Sequence, residues 1–178
     1  MVEDVKNILI SEEEIKKIVK KLGEEITRDY KDKNLILISV LKGSVVFMSD
    51  LMREIDLPLK IDFMIVSSYG DKTVSSGKVK IVKDLDIDLS DLDVLMVEDI
   101  LDTGRTLSSL IEILKTRKPK SLKLCTFLDK PDRRQTEIEA DYVGAKIPDE
   151  FVVGYGLDFS QKYRNLPFVG VLKPQIYE

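Results

Sequence analysis

The stretch VLMVEDILDTGRTL, residues 94–107 of 178, decides how the rest of the chain is interpreted. Its first four residues, Val94–Val97, are apolar and predict a buried strand that ends at two adjacent acids, Glu98 and Asp99. From Leu107 onward, apolar residues recur at the i, i+3, i+4, i+7 spacing that is typical of one face of a helix. The stretch therefore predicts a strand, a short polar loop and a helix.

The polar loop between this strand and helix consists of Asp102, Thr103, Gly104, Arg105 and Thr106. In open α/β sheets, ligands bind at the carboxyl ends of strands, and the backbone N–H groups at a helix start favour anions. The threonine hydroxyls add donors, and the two preceding acids suit a cis-diol because carboxylates accept hydrogen bonds from sugar hydroxyls. The residue types thus favour a ribose-phosphate site, and the alternative is an ordinary solvated turn.

Residues 98–106, EDILDTGRT, resemble the phosphoribosyl-pyrophosphate (PRPP) motif of the type I phosphoribosyltransferases. The motif places acids, glycine and threonines at fixed offsets, so it is more specific than a lone glycine-rich loop. Further segments resemble the branch of this family that acts on hypoxanthine and guanine in bacteria. These segments are LKG at 41–43, SSYG at 67–70, LDK at 128–130, IPDEFVVGYGLD at 147–158 and YRNLP at 163–167. The resemblance covers nearly the whole chain.

The resemblance implies an α/β fold with a mainly parallel twisted sheet flanked by helices, and a small hood formed by the N- and C-terminal segments. We expect one domain over residues 1–178, with a core at about 35–145 and a hood from about 1–15 and 146–178. Alternating strand and helix patterns in the middle of the chain independently favour a parallel sheet.

The implied activity is purine salvage, in which the 5-phosphoribosyl group of PRPP is transferred to hypoxanthine or guanine, giving IMP or GMP plus pyrophosphate. Asp102 would be catalytic and would act near N7 of the purine, although its residue type also suits a helix N-cap. The resemblance assigns Asp102, Thr103, Gly104, Arg105 and Thr106 to the phosphate, Glu98 and Asp99 to the ribose, Lys42, Gly43 and Arg164 to pyrophosphate, and Lys130, Phe151, Val152 and Asp158 to the purine.

Mg²⁺ is the implied cofactor, with Glu98, Asp99 and Asp158 as its protein contacts. Magnesium commonly takes one or two carboxylates together with substrate oxygens. The resemblance also implies a cis peptide between Leu41 and Lys42, with its N–H directed at pyrophosphate. From the residues alone, Lys42 is equally consistent with a surface charge.

Lys130 bears on the choice of purine, because an ammonium only donates hydrogen bonds and so favours a keto oxygen over an amino group. Without the resemblance, a lysine after a strand would be expected in solvent, and Phe151 would be expected in the core. Residues 68–77 are polar and long for a hairpin loop, which is typical of a lid. The resemblance places Ser68 and Tyr69 in that lid.

Composition excludes several classes of function. The formal net charge of −4 and the pI of about 5.1 disfavour binding to nucleic acid, and the absence of histidine excludes Ser-His-Asp chemistry. No apolar run is long enough for a membrane span, and the N-terminus does not resemble a signal peptide. With a single cysteine, Cys125, these features indicate a cytoplasmic protein.

Two alternatives stay open because one fold can serve several functions. The first is an RNA-binding regulator of pyrimidine genes that keeps the PRPP motif, for which a basic surface would be expected. The second is a related enzyme that prefers xanthine or adenine. The resemblance also implies a homodimer or homotetramer, with small molecules as the ligands.

Overall fold

A computed structural model of the protein describes residues 1–68 and 79–177 and arranges them in two β-sheets, with helices on both faces of the larger one. The strands and helices, in chain order, are β1 Val5–Ile10, α1 Glu12–Asp29, β2 Leu35–Val40, α2 Val45–Glu54, β3 Lys60–Ser68, β4 Val79–Lys83, β5 Asp93–Leu101, α3 Arg105–Thr116, β6 Ser121–Asp129, β7 Tyr142–Lys146, β8 Val152–Val153, β9 Val169–Leu172 and α4 Pro174–Tyr177. Among the described helices, none is long and apolar enough to span a membrane.

The larger sheet has the strand order β4-β3-β2-β5-β6-β7. Strands β3, β2, β5, β6 and β7 run parallel, and β4 pairs antiparallel with β3 at one edge. The expected mainly parallel α/β fold is therefore confirmed. Strand β5 lies inside this sheet and pairs with β2 on one side and with β6 on the other.

The apolar run of β2, interrupted only by Ser39, is typical of a parallel strand that is buried on both faces of the sheet. Leu35 and Leu37 pack with the core beneath α1 and α2, whereas Ile36 and Ile38 pack with the core beneath α3. The Ser-x-x-Glu pattern at residues 11–14 predicts a capping box at the start of a helix. Helix α1 begins with this capping box, in which Ser11 and Glu14 bond reciprocally to each other's backbone. Cys125 is fully buried in the first of these two cores.

The end of strand β5 and the presence of strand β1 differ from what the sequence predicts. Strand β5 continues to Leu101, so Glu98 and Asp99 lie within it, because Glu98, Ile100 and Leu101 still pair with β6. Strand β1 has no predicted counterpart, and it pairs antiparallel with β9 in the smaller sheet, whose order is β1-β9-β8. Its exposed residues 6–8 break the alternation by which a half-buried strand is recognised.

The predicted lid begins where the description of the chain stops. Ser68 is the last residue of β3, where its backbone pairs with Val79 of β4. Tyr69 and most of the proposed lid lie outside the described residues.

Helix α1 passes so close to the end of α2 that we expect an added methyl group at Gly23 to destabilise the protein. A Cβ at Gly23 would stand 2.5 Å from the carbonyl oxygen of Glu54. Overpacking costs about 1–3 kcal/mol, which equals or exceeds the gain in helix propensity of about 1 kcal/mol, and here the contact is with backbone that cannot rotate away. Gly23→Ala should therefore lower the free energy of unfolding in urea. The exposed Lys20→Ala in the same helix is the control, and a stabilised Gly23→Ala would contradict the close packing.

Candidate active site

A cavity of about 190 Å³ opens at the carboxyl end of β5. Its polar lining comes from Glu98, Asp102, Thr103, Gly104 and Thr106, and its apolar lining from Val40, Ile100 and Leu107. Arg105 lies outside this lining and is the first residue of α3. The structure thus brings one of the two acids together with most of residues 102–106, the polar loop that the resemblance assigns to the phosphate and that we call the phosphate loop.

The two acids point to opposite faces of β5, as successive residues of a strand must. Glu98 lines the cavity, and its Oε1 accepts a hydrogen bond from the Val40 backbone N–H at 3.3 Å. Asp99 instead faces Gly43, where a Cβ would overlap the Asp99 carboxylate. Arg164 reaches the same point, since its Nη1 lies 3.7 Å from that Cβ position. Three residues predicted to bind ribose or pyrophosphate therefore meet.

The chain that leads to Gly43 has the predicted backbone. The peptide bond between Leu41 and Lys42 is cis, as the resemblance implied. The side chain of Lys42 is exposed, which is compatible with both of its predicted roles.

Burial raises the pKa of both acids. The pKa of Glu98 is raised well above its usual range by desolvation, to which repulsion from Asp99 adds. Desolvation likewise raises the pKa of Asp99 to about 6, against the opposing effect of the Ile100 N–H and of Arg164. Two carboxylates that have lost water and repel each other are expected to gain from a bound cation or from hydroxyl donors.

Asp158 is held by an ion pair with Arg164, whose Nη2 lies 2.7 Å from Asp158 Oδ1. Arg164 Nη1 also donates to the Gly156 carbonyl oxygen at 2.7 Å. Across residues 1–68 and 79–177, no three acids, cysteines or histidines converge into a ready metal cluster. The predicted contacts Glu98, Asp99 and Asp158 therefore do not form a ready three-carboxylate site among these residues. Mg²⁺ commonly takes only one or two carboxylates and completes its shell with substrate oxygens.

Gly104 is the N-cap residue of α3 and has φ +79°, a conformation that L side chains rarely adopt. The interpretation of Asp102 as the N-cap is therefore wrong. Within the described part of the chain, Asp102 Oδ1 is buried and accepts no hydrogen bond. The Arg133 guanidinium forms an ion pair with this atom, with Nε 3.7 Å away. A buried acceptor without a donor is unusual and is available to a ligand.

The predicted purine residues surround the segment that follows β6. Lys130 is only 4% exposed, so the expectation of a solvated lysine is wrong. Its Nζ donates to the Glu150 carbonyl oxygen at 2.9 Å and lies 3.9 Å from Asp149 Oδ1. Arg133 Nε is also 3.7 Å from Asp149 Oδ1, and this arginine links the purine segment to Asp102.

Phe151 is 37% exposed, which makes core packing the wrong interpretation for this ring. It stacks on Tyr177 with ring centroids 4.8 Å apart and meets Phe159 edge to face at 5.7 Å. Val152 is buried in β8, directly after it. An exposed ring held by two other aromatic rings is a suitable platform for a planar ligand.

Sequence reasoning missed Arg133 and Arg134, which lie in the loop after Lys130 and contact Asp102 through its side chain and its backbone, respectively. The available signal was two adjacent arginines shortly after the end of a strand in an acidic chain. Such arginines are also common in solvated loops, and only the contacts distinguish the two cases.

The chain belongs to the phosphoribosyl transferase domain family, whose model matches residues 4–160. It is 56% identical over 178 residues to the hypoxanthine-guanine phosphoribosyltransferase of Bacillus subtilis strain 168, covering 100% of this chain and 99% of that protein. The enzyme of the same name from Staphylococcus aureus strain Mu50 is 56% identical over 174 residues, which are 98% of this chain and 97% of that protein.

Solved structures agree with these relatives. The crystal structure of a hypoxanthine phosphoribosyltransferase from Staphylococcus aureus matches the fold with a TM-score of 0.98 and 55% identity, over 100% of this chain and 97% of that one. A hypoxanthine-guanine phosphoribosyltransferase from Bacillus anthracis gives a TM-score of 0.91 and 49% identity, over 95% and 99% of the two chains. The family and fold expected from the motifs are confirmed.

The raised pKa of Asp99 predicts that Asp99→Asn stabilises the ligand-free protein. The folded-state pKa of about 6 exceeds the value of about 3.9 in unfolded chains, so ionisation of Asp99 opposes folding increasingly between these values. We expect a gain in unfolding free energy of about 1–2 kcal/mol at neutral pH, less than the full shift implies because the side chain is only partly buried. The gain should disappear near pH 4, where Asp99 is protonated in the folded protein.

Urea unfolding at about pH 4 and about pH 7.5 measures this difference. The exposed Asp56→Asn is the control and should show no such dependence on pH. An equal stabilisation of Asp99→Asn at both values would mean that charge burial is not its cause.

Proposed function

We propose that the protein transfers the 5-phosphoribosyl group of PRPP to hypoxanthine or guanine, giving IMP or GMP plus pyrophosphate in purine salvage. The observation that carries this proposal is the cavity at the end of β5, where Glu98 and an Asp102 oxygen that has no hydrogen-bond donor among the described residues meet the phosphate loop. The names of the relatives, which are 56% identical over nearly the whole chain, support the same activity.

In this proposal, the loop that leads into α3 binds the phosphate of the phosphoribosyl group. Its backbone N–H groups and the Thr103 and Thr106 hydroxyls are the donors, strengthened by the helix start. Glu98 and Asp99 accept from the ribose hydroxyls across the edge of β5. Gly43 leaves room for pyrophosphate beside Arg164, because any side chain at position 43 would overlap Asp99.

Asp102 is the proposed acid–base group. Its buried Oδ1 has no donor among the described residues, so it can accept the proton that leaves N7 as the new glycosidic bond forms. In the reverse reaction, the same carboxyl returns that proton. Arg133 Nε, 3.7 Å away, places a positive charge beside the Asp102 carboxylate.

Lys130 and Phe151 are proposed to select and hold the purine. The buried ammonium of Lys130 donates to the 6-keto oxygen that hypoxanthine and guanine share, and adenine would bring an amino group to the same donor. Phe151 stacks on the base, and the backbone of Val152 reads its other edge.

Mg²⁺ belongs to the same proposal, with Glu98, Asp99 and Asp158 as its protein contacts. When bound, it neutralises negative charge on the pyrophosphate leaving group. We also propose a cytoplasmic location and a homodimer or homotetramer. Exposed apolar side chains on β3 and β4, namely Ile61, Ile65 and Val82, support a surface that a second copy would cover.

A competition assay tests the function. The protein is incubated with PRPP, Mg²⁺ and each of hypoxanthine, guanine, xanthine and adenine, and nucleotide and pyrophosphate are quantified. Turnover of hypoxanthine and guanine, with little of adenine, is the expected result. No PRPP-dependent nucleotide with any base would overturn the proposal, and turnover of xanthine alone would change the substrate.

Asp102→Asn should lower kcat for nucleotide formation about 10- to 10³-fold, the range for loss of one acid–base group, because an amide cannot take up the N7 proton. PRPP affinity should change much less, since Thr103, Gly104 and Thr106 remain. Steady-state kinetics at saturating substrates checks this, with Asp56→Asn as an exposed control. A variant that turns over at the parent rate would exclude the acid–base role.

Lys130→Gln should weaken the discrimination between 6-oxo and 6-amino purines, because a carboxamide can turn either its oxygen or its NH₂ group toward the base. A hydrogen bond to a charged group is worth about 1.5–3 kcal/mol, so kcat/KM for hypoxanthine and guanine should fall about 10- to 150-fold. Adenine should lose less or gain slightly. Lys120→Gln, at the opposite end of β6, is the control, and unchanged selectivity would mean that Lys130 does not read the purine.

A further inference from the structure

Three consecutive backbone carbonyls at the start of the phosphate loop are all bound by one neighbouring segment. The Leu101 oxygen accepts from the Lys130 N–H at 3.0 Å and from Arg134 Nη2 at 3.3 Å. The Asp102 oxygen accepts from Arg134 Nε at 3.0 Å, and the Thr103 oxygen from the Gln135 N–H at 2.9 Å. The neighbouring segment thus donates a hydrogen bond to each of these three carbonyl oxygens.

Arg134 makes the largest share of these bonds. Its guanidinium also donates to the Ile138 carbonyl oxygen at 2.6 Å and to the carboxylate of Asp129, the last residue of β6. The side chain is 16% exposed. One arginine thus joins the end of β5, the phosphate loop, the end of β6 and its own loop, and the rigid planar fork of guanidinium suits such multiple contacts.

Residues 134–138 also lie flush against Gly104. A Cβ at Gly104 would overlap the Thr136 hydroxyl, and it would stand 2.5 Å from Ile138 Cγ2 and 3.1 Å from Arg134 Cδ. This packing excludes any side chain on the outer side of the loop. We call residues 134–138 the loop brace.

The direction of these hydrogen bonds determines how the N–H groups of the phosphate loop are oriented. A trans peptide places its N–H opposite its carbonyl, so a carbonyl held toward the brace directs the following N–H away from it. The carbonyls of Leu101, Asp102 and Thr103 therefore orient the N–H groups of residues 102–104. Peptides held in advance bind an anion without a further ordering cost.

We infer that Arg134 is a positioning residue for the phosphate of PRPP. It touches no substrate and acts by fixing the peptides of the phosphate loop. The inference rests on the proposed function. Because Lys130 begins the same connection and bonds to Leu101, the segment also ties the proposed purine site to the phosphate site.

The kinetics of Arg134→Ala test this role, because a positioning residue for PRPP should affect KM for PRPP much more than kcat. Loss of bonds from a charged donor predicts an increase of about 10- to 150-fold in KM for PRPP, with kcat and KM for hypoxanthine changed only a few-fold. Arg134→Lys keeps the charge but reaches fewer acceptors, so its KM for PRPP should fall between parent and Arg134→Ala. Added guanidinium at low millimolar concentration should partly restore Arg134→Ala.

Arg117→Ala is the matched control. Arg117 is a half-buried arginine that also pairs with a carboxylate, that of Asp84, but it follows the far end of α3. Its kinetics should equal those of the parent. An unchanged KM for PRPP in Arg134→Ala overturns the inference. A fall in kcat with similar increases in KM for PRPP and for hypoxanthine, none of them reversed by guanidinium, also overturns it. Should Arg134→Ala not fold, Arg134→Lys decides by the same comparison of KM for PRPP with kcat.

Failure of the proposed function would be visible separately, as a parent protein that forms no nucleotide. Calorimetric binding of ribose 5-phosphate, which needs the loop but no transfer, then compares the parent with Arg134→Lys. Weaker binding by the variant supports the positioning role, and equal binding overturns it.

Discussion

The pairing of β5 with β2 on one side and with β6 on the other is the interaction on which the candidate site depends. All three strands are parallel, so their carboxyl ends meet at one edge of the sheet. The residues that follow β2 supply Gly43, those that follow β5 supply the phosphate loop, and those that follow β6 supply Lys130. Segments more than about twenty residues apart in the chain become neighbours because the backbone hydrogen bonds of the sheet align the strands that they follow.

Ionising the buried acids at this edge of the sheet costs electrostatic free energy. Glu98 and Asp99 are desolvated, and repulsion from Asp99 adds to the cost of ionising Glu98, whereas Arg164 offsets only part of the cost at Asp99. Such an arrangement destabilises the ligand-free fold and is retained where a ligand benefits from it. Magnesium would supply positive charge to these carboxylates, and sugar hydroxyls would supply hydrogen-bond donors. The groups that destabilise the ligand-free fold are therefore the ones proposed to bind the substrate.

The phosphate loop makes specific contacts on its outer side as well as on the inner side that faces the cavity. Its inner side lines the cavity with Thr103, Gly104 and Thr106. Its outer side is bonded to Arg134 and Gln135 and packed against Thr136 and Ile138. A glycine at position 104 satisfies both sides, because it accepts a positive φ and leaves no side chain between the loop and its brace.

The sequence by itself determined the parallel core, the capping box of α1, the strand–loop–helix order around residues 94–107 and the family. These follow from local periodicity, or from motifs long enough to be specific. Only the tertiary structure decided that Glu98 and Asp99 face opposite sides of β5, that Lys130 is buried and Phe151 exposed, and that β1 pairs with β9. Burial and pairing depend on neighbours distant in sequence, so propensity could not predict them. The contacts from which we infer a role for Arg134 belong to the same group, because the sequence does not show which carbonyl oxygens a loop arginine reaches.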